Sequence, residues 1–317
     1  MKRWILGGVA VALVIALAVI ALLLQRDAGY DAKFDTHVAA PAYPQQHPRV
    51  LFDQGHHNAH AINGSYRPFV ELLRNDGYDV EALETAVTPA ILRGVAVLVI
   101  VSAQGANETN DGSAFTEAEA SAISEWVLRG GALLLITDHW PFGAAAGPLG
   151  ERFGVDMSKG VTSDPAHSLT RLSDSHLVFS RENGLLGAHP IMEGRGGAER
   201  ITRLLTFTGQ SLRGPADATP LLLLADTARD APPGAPVVTR NGGEVQVSMT
   251  YGEPRSAAGW AQGVAISFVR GRVVVLGEAG MLRAAEDEEG RPFGMNYPGY
   301  DNRQFALNAM HWLSRLI

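Results

Sequence analysis

Two unbroken apolar runs, VAVLVIV ending at Val101 and ALLLI ending at Ile136, flank a single helix with readable ends. In that helix, FTEAEASAISEWVLRGG, Thr116 and Glu119 have capping-box spacing. Ile123, Trp126 and Val127 recur on one face, and Gly130 supplies a stop. A strand without polar alternation has to be covered on both faces. Strand, helix and strand in this order imply a right-handed crossover, and so a parallel sheet between two helix layers. RVLFD, Arg49 to Asp53, begins the same rhythm and is followed by YRPFVELLRNDGY, where Phe69, Leu72 and Leu73 recur at helical spacing. GVAISFVRGRVVVLGEAGM adds two strands around a tight turn, and DNRQFALNAMHWLSRLI closes with a helix. The expected fold is a three-layer α/β sandwich with a mostly parallel, flavodoxin-like sheet. Between about 155 and 262 the alternation gives way to LLTFTGQSL, PLLLLAD and the hairpin-like PVVTRNGGEVQVS, read as a β-rich insertion packed on the sheet.

Residues 4–24 form an uncharged run of 21 residues. As a helix it would reach about 31 Å, close to the ~30 Å hydrocarbon core of a bilayer. It reads as a transmembrane helix and not as a cleaved signal, whose apolar region is about 7–15 residues. Lys2 and Arg3 precede it and Arg26 beside Asp27 follows, so the positive-inside rule leaves the remainder outside the cytoplasm. Residues 25–48, with Pro41, Pro44 and Pro48, read as a stalk, and 49–317 as the folded domain. The sequence thus predicts a single-pass protein of the cell membrane, anchored by residues 1–24, with an extracytoplasmic domain.

The chain contains no cysteine, which excludes disulfides, thiolate catalysis and Cys-ligated zinc. A net charge of -7, with no basic cluster beyond the first residues, makes nucleic acid an unsuitable partner. Neither a P-loop nor a G-x-G-x-x-G pattern is present, and VSAQG around Ser102 lacks the G-x-S-x-G elbow of α/β-hydrolases.

RVLFD with YRPFVELL, FTEAEASAISEWVLRGGALLLITD, AHPIMEG, GRVVVLGEAGM and DNRQFALNAMHWL together resemble the class I glutamine amidotransferase-like superfamily. More narrowly, they resemble its uncharacterised, membrane-tethered branch. The resemblance spans roughly residues 49–317 and concerns fold more than chemistry. Glutaminases of that superfamily carry a cysteine on a sharp turn after a central strand. Here Thr137, Asp138, His139 and Trp140 stand at the comparable strand end, so thiolate glutamine hydrolysis is excluded.

In open α/β sheets ligands sit beyond the carboxyl ends of the strands. Those ends carry Asp53 with His56, His57 and His60 in DQGHHNAH, then Ser102 and Gln104, Asp138 and His139, and Glu278. A divalent ion such as zinc needs three or four N/O ligands. Asp53, His57, His60 and Asp138 are the candidates, with His57 preferred over His56. Glu278 and His139 are the candidate acid–base groups, and Gln104 and Trp140 candidate ligand contacts. Each also has a structural reading: Asp53 and Asp138 as caps, the histidines as loop hydrogen-bonders. Asp301, His189 and His311 are read as structural. The expected function is binding of a polar small molecule or envelope-derived fragment, with metal-assisted hydrolysis as its catalytic form. The alternative is a non-catalytic scaffold for a membrane transporter or envelope complex.

Overall fold

The computed structural model describes residues 29–105, 112–169, 173–241, 244–287 and 289–317. Nine strands form the main sheet: β1 (Arg49–Asp53), β2 (Asp79–Leu83), β3 (Val97–Val101), β4 (Ala132–Ile136), β5 (Asp156–Met157), β6 (Leu212–Arg213), β7 (Thr219–Leu223), β8 (Ala261–Phe268) and β9 (Gly271–Leu276). Their order is β2–β1–β3–β4–β9–β8–β6–β5, with β7 also paired to β8. β2, β1, β3, β4 and β9 run parallel. β3 and β4 are buried at all five positions, as their unbroken apolar runs require.

The sheet divides the core. On one face, α1 (Arg67–Asn75) and α4 (Asn302–Leu313) pack Phe69, Leu72, Phe305 and Ala309 against Val50, Phe52, Val99, Leu134 and Val274. On the other, α2 (Glu117–Leu128) and α3 (Phe142–Glu151) pack Ile123, Val127 and Leu149 against Leu51, Leu98, Leu133 and Val275. The capping box of α2 is complete, Thr116 Oγ1 accepting from Glu119 N and the Glu119 carboxylate accepting from Thr116 N. Gly130, with φ 119°, ends the helix, and a Cβ at Gly131 would stand 2.3 Å from the Trp126 ring. Thr116→Ala is expected to cost about 1 kcal/mol in urea unfolding, the usual value of a lost N-cap.

Two sequence expectations need correction. The sheet is mixed: the two-residue turn between β8 and β9 can only join antiparallel strands, and β5, β6 and β7 extend that antiparallel half. Small antiparallel sheets accompany it, among them the hairpin Pro233–Asn241 with Glu244–Tyr251. The expected membrane span, residues 4–24, lies outside the described residues. Among the described residues no helix is long and apolar enough to cross a membrane. The longest, α2 and α4, have 12 residues each, or about 18 Å against the ~30 Å required. The readings of a transmembrane helix, a membrane partner through it and a single-pass extracytoplasmic location are therefore withdrawn.

Residues 29–48 run along the domain. Tyr43 is buried, Ala42 N donates to Asp76 Oδ1 at 2.8 Å, and Asp31 N donates to Ala284 O at 2.7 Å.

Candidate functional site

Alternation along each strand decides which face of the sheet a strand-end residue joins. In β1, Val50 and Phe52 enter the α1/α4 core and Leu51 the opposite one, so Asp53 turns toward α2. In β4 and β9, Leu134, Ile136, Val274 and Leu276 enter the α1/α4 core, which sends Asp138 and Glu278 to that face. The expected ligands Asp53 and Asp138 thus belong to separate clusters on opposite sides of the sheet.

The α2-side cluster is a closed ion triad. His56 Nδ1 lies 2.8 Å from Asp53 Oδ1 and Nε2 lies 2.9 Å from Glu119 Oε1, with all three residues buried. Asp53 also accepts from Gly55 N at 3.2 Å and from Asn58 Nδ2 at 3.0 Å, so both its oxygens are occupied. Glu119 Oε1 further accepts from Val87 N at 3.0 Å. An imidazole between two carboxylates donates from both nitrogens as the imidazolium. Burial works against that charge, but the bonds and charges of Asp53 and Glu119 outweigh it and raise the His56 pKa. Burial likewise opposes the Glu119 charge, yet bonds from Thr116, His56 and Val87 bring its pKa down to about 2. This triad fastens the end of β1 and the histidine loop to the start of α2. Gln104, partly buried, joins the same loop through its N–H to His56 O at 3.1 Å. His57, with φ 49°, points out and is exposed.

The other cluster holds the unusual chemistry. Ile136 pairs with Leu276 at the ends of β4 and β9, and two residues further on Asp138 and Glu278 leave toward the same face, near enough for the charge of Asp138 to act on Glu278. Asp138 accepts from His139 N at 2.8 Å and from Ala279 N at 3.2 Å. Glu278, 1% exposed, accepts from Gly280 N at 2.5 Å and Met281 N at 2.8 Å. A Cβ at Gly209 would come within 2.8 Å of Glu278 Cβ, so this carboxyl is sealed by backbone. Burial and then the charge of Asp138 push the Glu278 pKa well up. Burial, opposed by His139 and the two amide bonds, raises Asp138 to about 6. Gln210 fixes the turn by donating from Nε2 to Thr137 Oγ1 at 2.5 Å and to Asp138 O at 2.8 Å.

Around the pair, Tyr66 donates to Ala279 O at 2.6 Å, and the His60 ring lies 5.0 Å from that of Tyr66. His60 Nδ1 meets Ser65 Oγ at 2.6 Å. Burial, then Arg283, lower the His60 pKa to about 4, so its ring is neutral at pH 7. At the mouth, His139 Nε2 is 3.6 Å from Asp138 Oδ1 and its Nδ1 is 3.1 Å from Tyr251 Oη. Trp140, partly buried, follows with its N–H on Lys159 O at 2.9 Å.

Of the residues singled out in the sequence, the structure gathers Asp138, His139 and Glu278, with His60 on the same face through Tyr66. Asp53 and Gln104 fall with His56, and His57 joins neither. Among the described residues no group of three or more His, Cys, Asp or Glu side chains is placed to hold a metal ion. The donor set expected for zinc, Asp53, His57, His60 and Asp138, is not brought together: Asp53 is saturated on the α2 side of the sheet, His57 is exposed, and only His60 and Asp138 share a face. Tyr66, Tyr251 and Gln210 carried no sequence signal, since each reaches the site from a distant element. Glu119 was visible as a capping residue only.

No family model matches the chain, and no curated protein matches it. Among solved structures, the fold is similar to that of the mmIFT52 N-terminal domain, with a TM-score of 0.58, 14% identity, and 84% of this chain and 97% of that one covered. This likeness shows a shared fold and no shared activity. Two looser likenesses decide nothing alone. One is to a GMP synthase-like protein from Thermoplasma acidophilum, with a TM-score of 0.42, 10% identity, and 86% and 96% of the two chains covered. The other is to a ThuA-like protein from Bacteroides uniformis, with a TM-score of 0.39, 13% identity, and 90% and 95% covered. What the likeness to the mmIFT52 N-terminal domain shows is an α/β fold in common, and neither the amidotransferase-like superfamily nor its membrane-tethered branch is shown for this chain.

Proposed function

We propose that the carboxyl ends of β4 and β9 form a small-molecule site in which Asp138 is a general base. The observation that carries this reading is the pairing of a sealed Glu278 with an Asp138 whose side chain keeps 16% exposure. Two carboxyls held side by side resist joint ionisation, and a base is most effective when its pKa lies near the working pH. Glu278 is sealed from solvent, and burial and the Asp138 charge push its pKa well up, so it keeps its proton while Asp138 ionises; its bonds from Gly280 N and Met281 N hold the turn whose Ala279 N reaches Asp138. His139 stands next to Asp138 at the mouth. In a hydrolysis, water would lose its proton to Asp138 as its oxygen attacks the substrate carbon, and the leaving group would take a proton from His139. The acidic site favours a neutral, polar ligand over an anion.

A panel of chromogenic esters, amides and glycosides tests this with the full chain. Turnover is expected to rise with pH through a midpoint near 6, to vanish in Asp138→Asn, and to keep that midpoint in Glu278→Gln, which replaces a carboxyl that is neutral while Asp138 ionises. Thermal stabilisation by a panel compound without turnover, retained in Asp138→Asn, would leave a binding module and no base. Neither turnover nor stabilisation would leave the site without this role.

A further inference from the structure

Five large hydrophobic side chains are exposed among the described residues, and Leu128, Val269 and Leu316 are three of them. They come from three segments far apart in sequence whose backbones meet: the C-terminal end of α2 with the loop after it, the β8–β9 turn, and the residues after α4. Arg315 donates to Gly130 O and to Arg270 O, and Arg272 N donates to Gly131 O at 3.2 Å. All three segments lie at the amino ends of β4 and β9, away from Asp138 and Glu278. Each apolar side chain is adjacent in sequence to an exposed arginine: Arg129, Arg270 and Arg315. Arg129 is paired with Glu125, whereas no acidic side chain among the described residues meets Arg270.

Val269 is the informative member. It occupies the tip of the β8–β9 turn with φ 57° and is 75% exposed. A β-branched residue is unfavourable in that left-handed conformation, where glycine is the ordinary choice, and an isolated aliphatic tip gains nothing from solvent. Local folding therefore does not explain it.

We infer that this end of the domain docks an acidic, aliphatic-bearing segment of a partner protein. Charge complementarity selects the occupant: the arginines form a positive rim on a chain of net charge -7, and an apolar centre with flanking arginine is the composition of a protein interface. Arg129 is neutralised by Glu125, so among the described residues the charge of the rim is that of Arg270 and Arg315, enough to favour an acidic segment and too little to hold a polyphosphate backbone. The surface is independent of the chemistry assigned to Asp138.

Photocrosslinking tests the inference in the full chain within its host cells, with p-benzoylphenylalanine in place of Val269. The expected adduct is to a second protein through a peptide that is net acidic and contains aliphatic residues. Arg270→Glu, at a side chain that no acidic side chain among the described residues meets, should weaken it at least tenfold while leaving the melting temperature unchanged. An adduct between two copies of the chain, an adduct to lipid, or no adduct overturns the inference. Val269→Gly provides an orthogonal readout. It should raise the melting temperature by releasing the left-handed strain and lower partner recovery in a pull-down with the protein identified by the crosslink. A lower melting temperature would show that Val269 serves the fold, and would also overturn it.

Discussion

His56→Leu is expected to destabilise the domain by about 3–5 kcal/mol, the cost of leaving buried charges without their partner. For a domain of this size that is roughly 10 °C in melting temperature. The reason is geometric. Asp53 and Glu119 approach His56 from opposite sides at 2.8 and 2.9 Å, and neither carboxylate has water to replace the imidazolium. Leucine has a similar volume and removes only the charge and the two donors. Differential scanning calorimetry at pH 6 measures the effect, and a loss below 1 kcal/mol would mean that the triad is not an ion network.

The pH dependence follows from the two shifted groups. The His56 pKa is raised, so its contribution is complete below the ordinary value of 6.5 and is lost as pH climbs through its folded value. The Glu119 pKa is depressed from 4.5 to about 2, so its contribution is complete above 4.5 and is lost as pH falls toward 2. The triad thus stabilises the histidine loop most between about pH 4.5 and 6.5. His56→Leu should remove the alkaline decline that this network causes.

The same residues show how far the sequence could be read. β3, β4 and α2 were legible because an unbroken apolar run and a capping box are local signals. The antiparallel half of the sheet was less so, since β6 and β7 pair with β8 across 37 residues or more without a local mark. For the site, the strand ends were legible but the faces were not. A strand buried on both sides has no polar alternation, so nothing in LLLITD or VLFD shows that Asp138 turns toward α1 and Asp53 toward α2. Nor could spacing separate His56 from His57, because that choice rests on the left-handed backbone at His57.

Asp138→Asn is expected to abolish turnover or acid–base function at the site and yet to stabilise the fold at neutral pH. A carboxyl displaced from 3.8 to about 6 in the folded state carries, once ionised, a penalty of about 3 kcal/mol relative to the unfolded chain. The sign is opposite to that of Glu119: with the folded pKa raised, stability falls as pH rises from 3.8 through 6. Asparagine never ionises and avoids this penalty. Its amide nitrogen, however, cannot accept from both His139 N and Ala279 N as the carboxylate does, and one such lost bond costs about 1 kcal/mol. A net gain of about 1–2 kcal/mol at pH 8 should remain, changing to a small loss at pH 4, where Asp138 is protonated in wild type. Urea unfolding at the two pH values measures the crossing. Equal destabilisation at both would mean that Asp138 is an ordinary hydrogen-bonded carboxylate, and would remove the physical basis for its role as a base. A gain at pH 8 together with lost function is the pattern of a group whose ionisation strains the fold for the sake of chemistry.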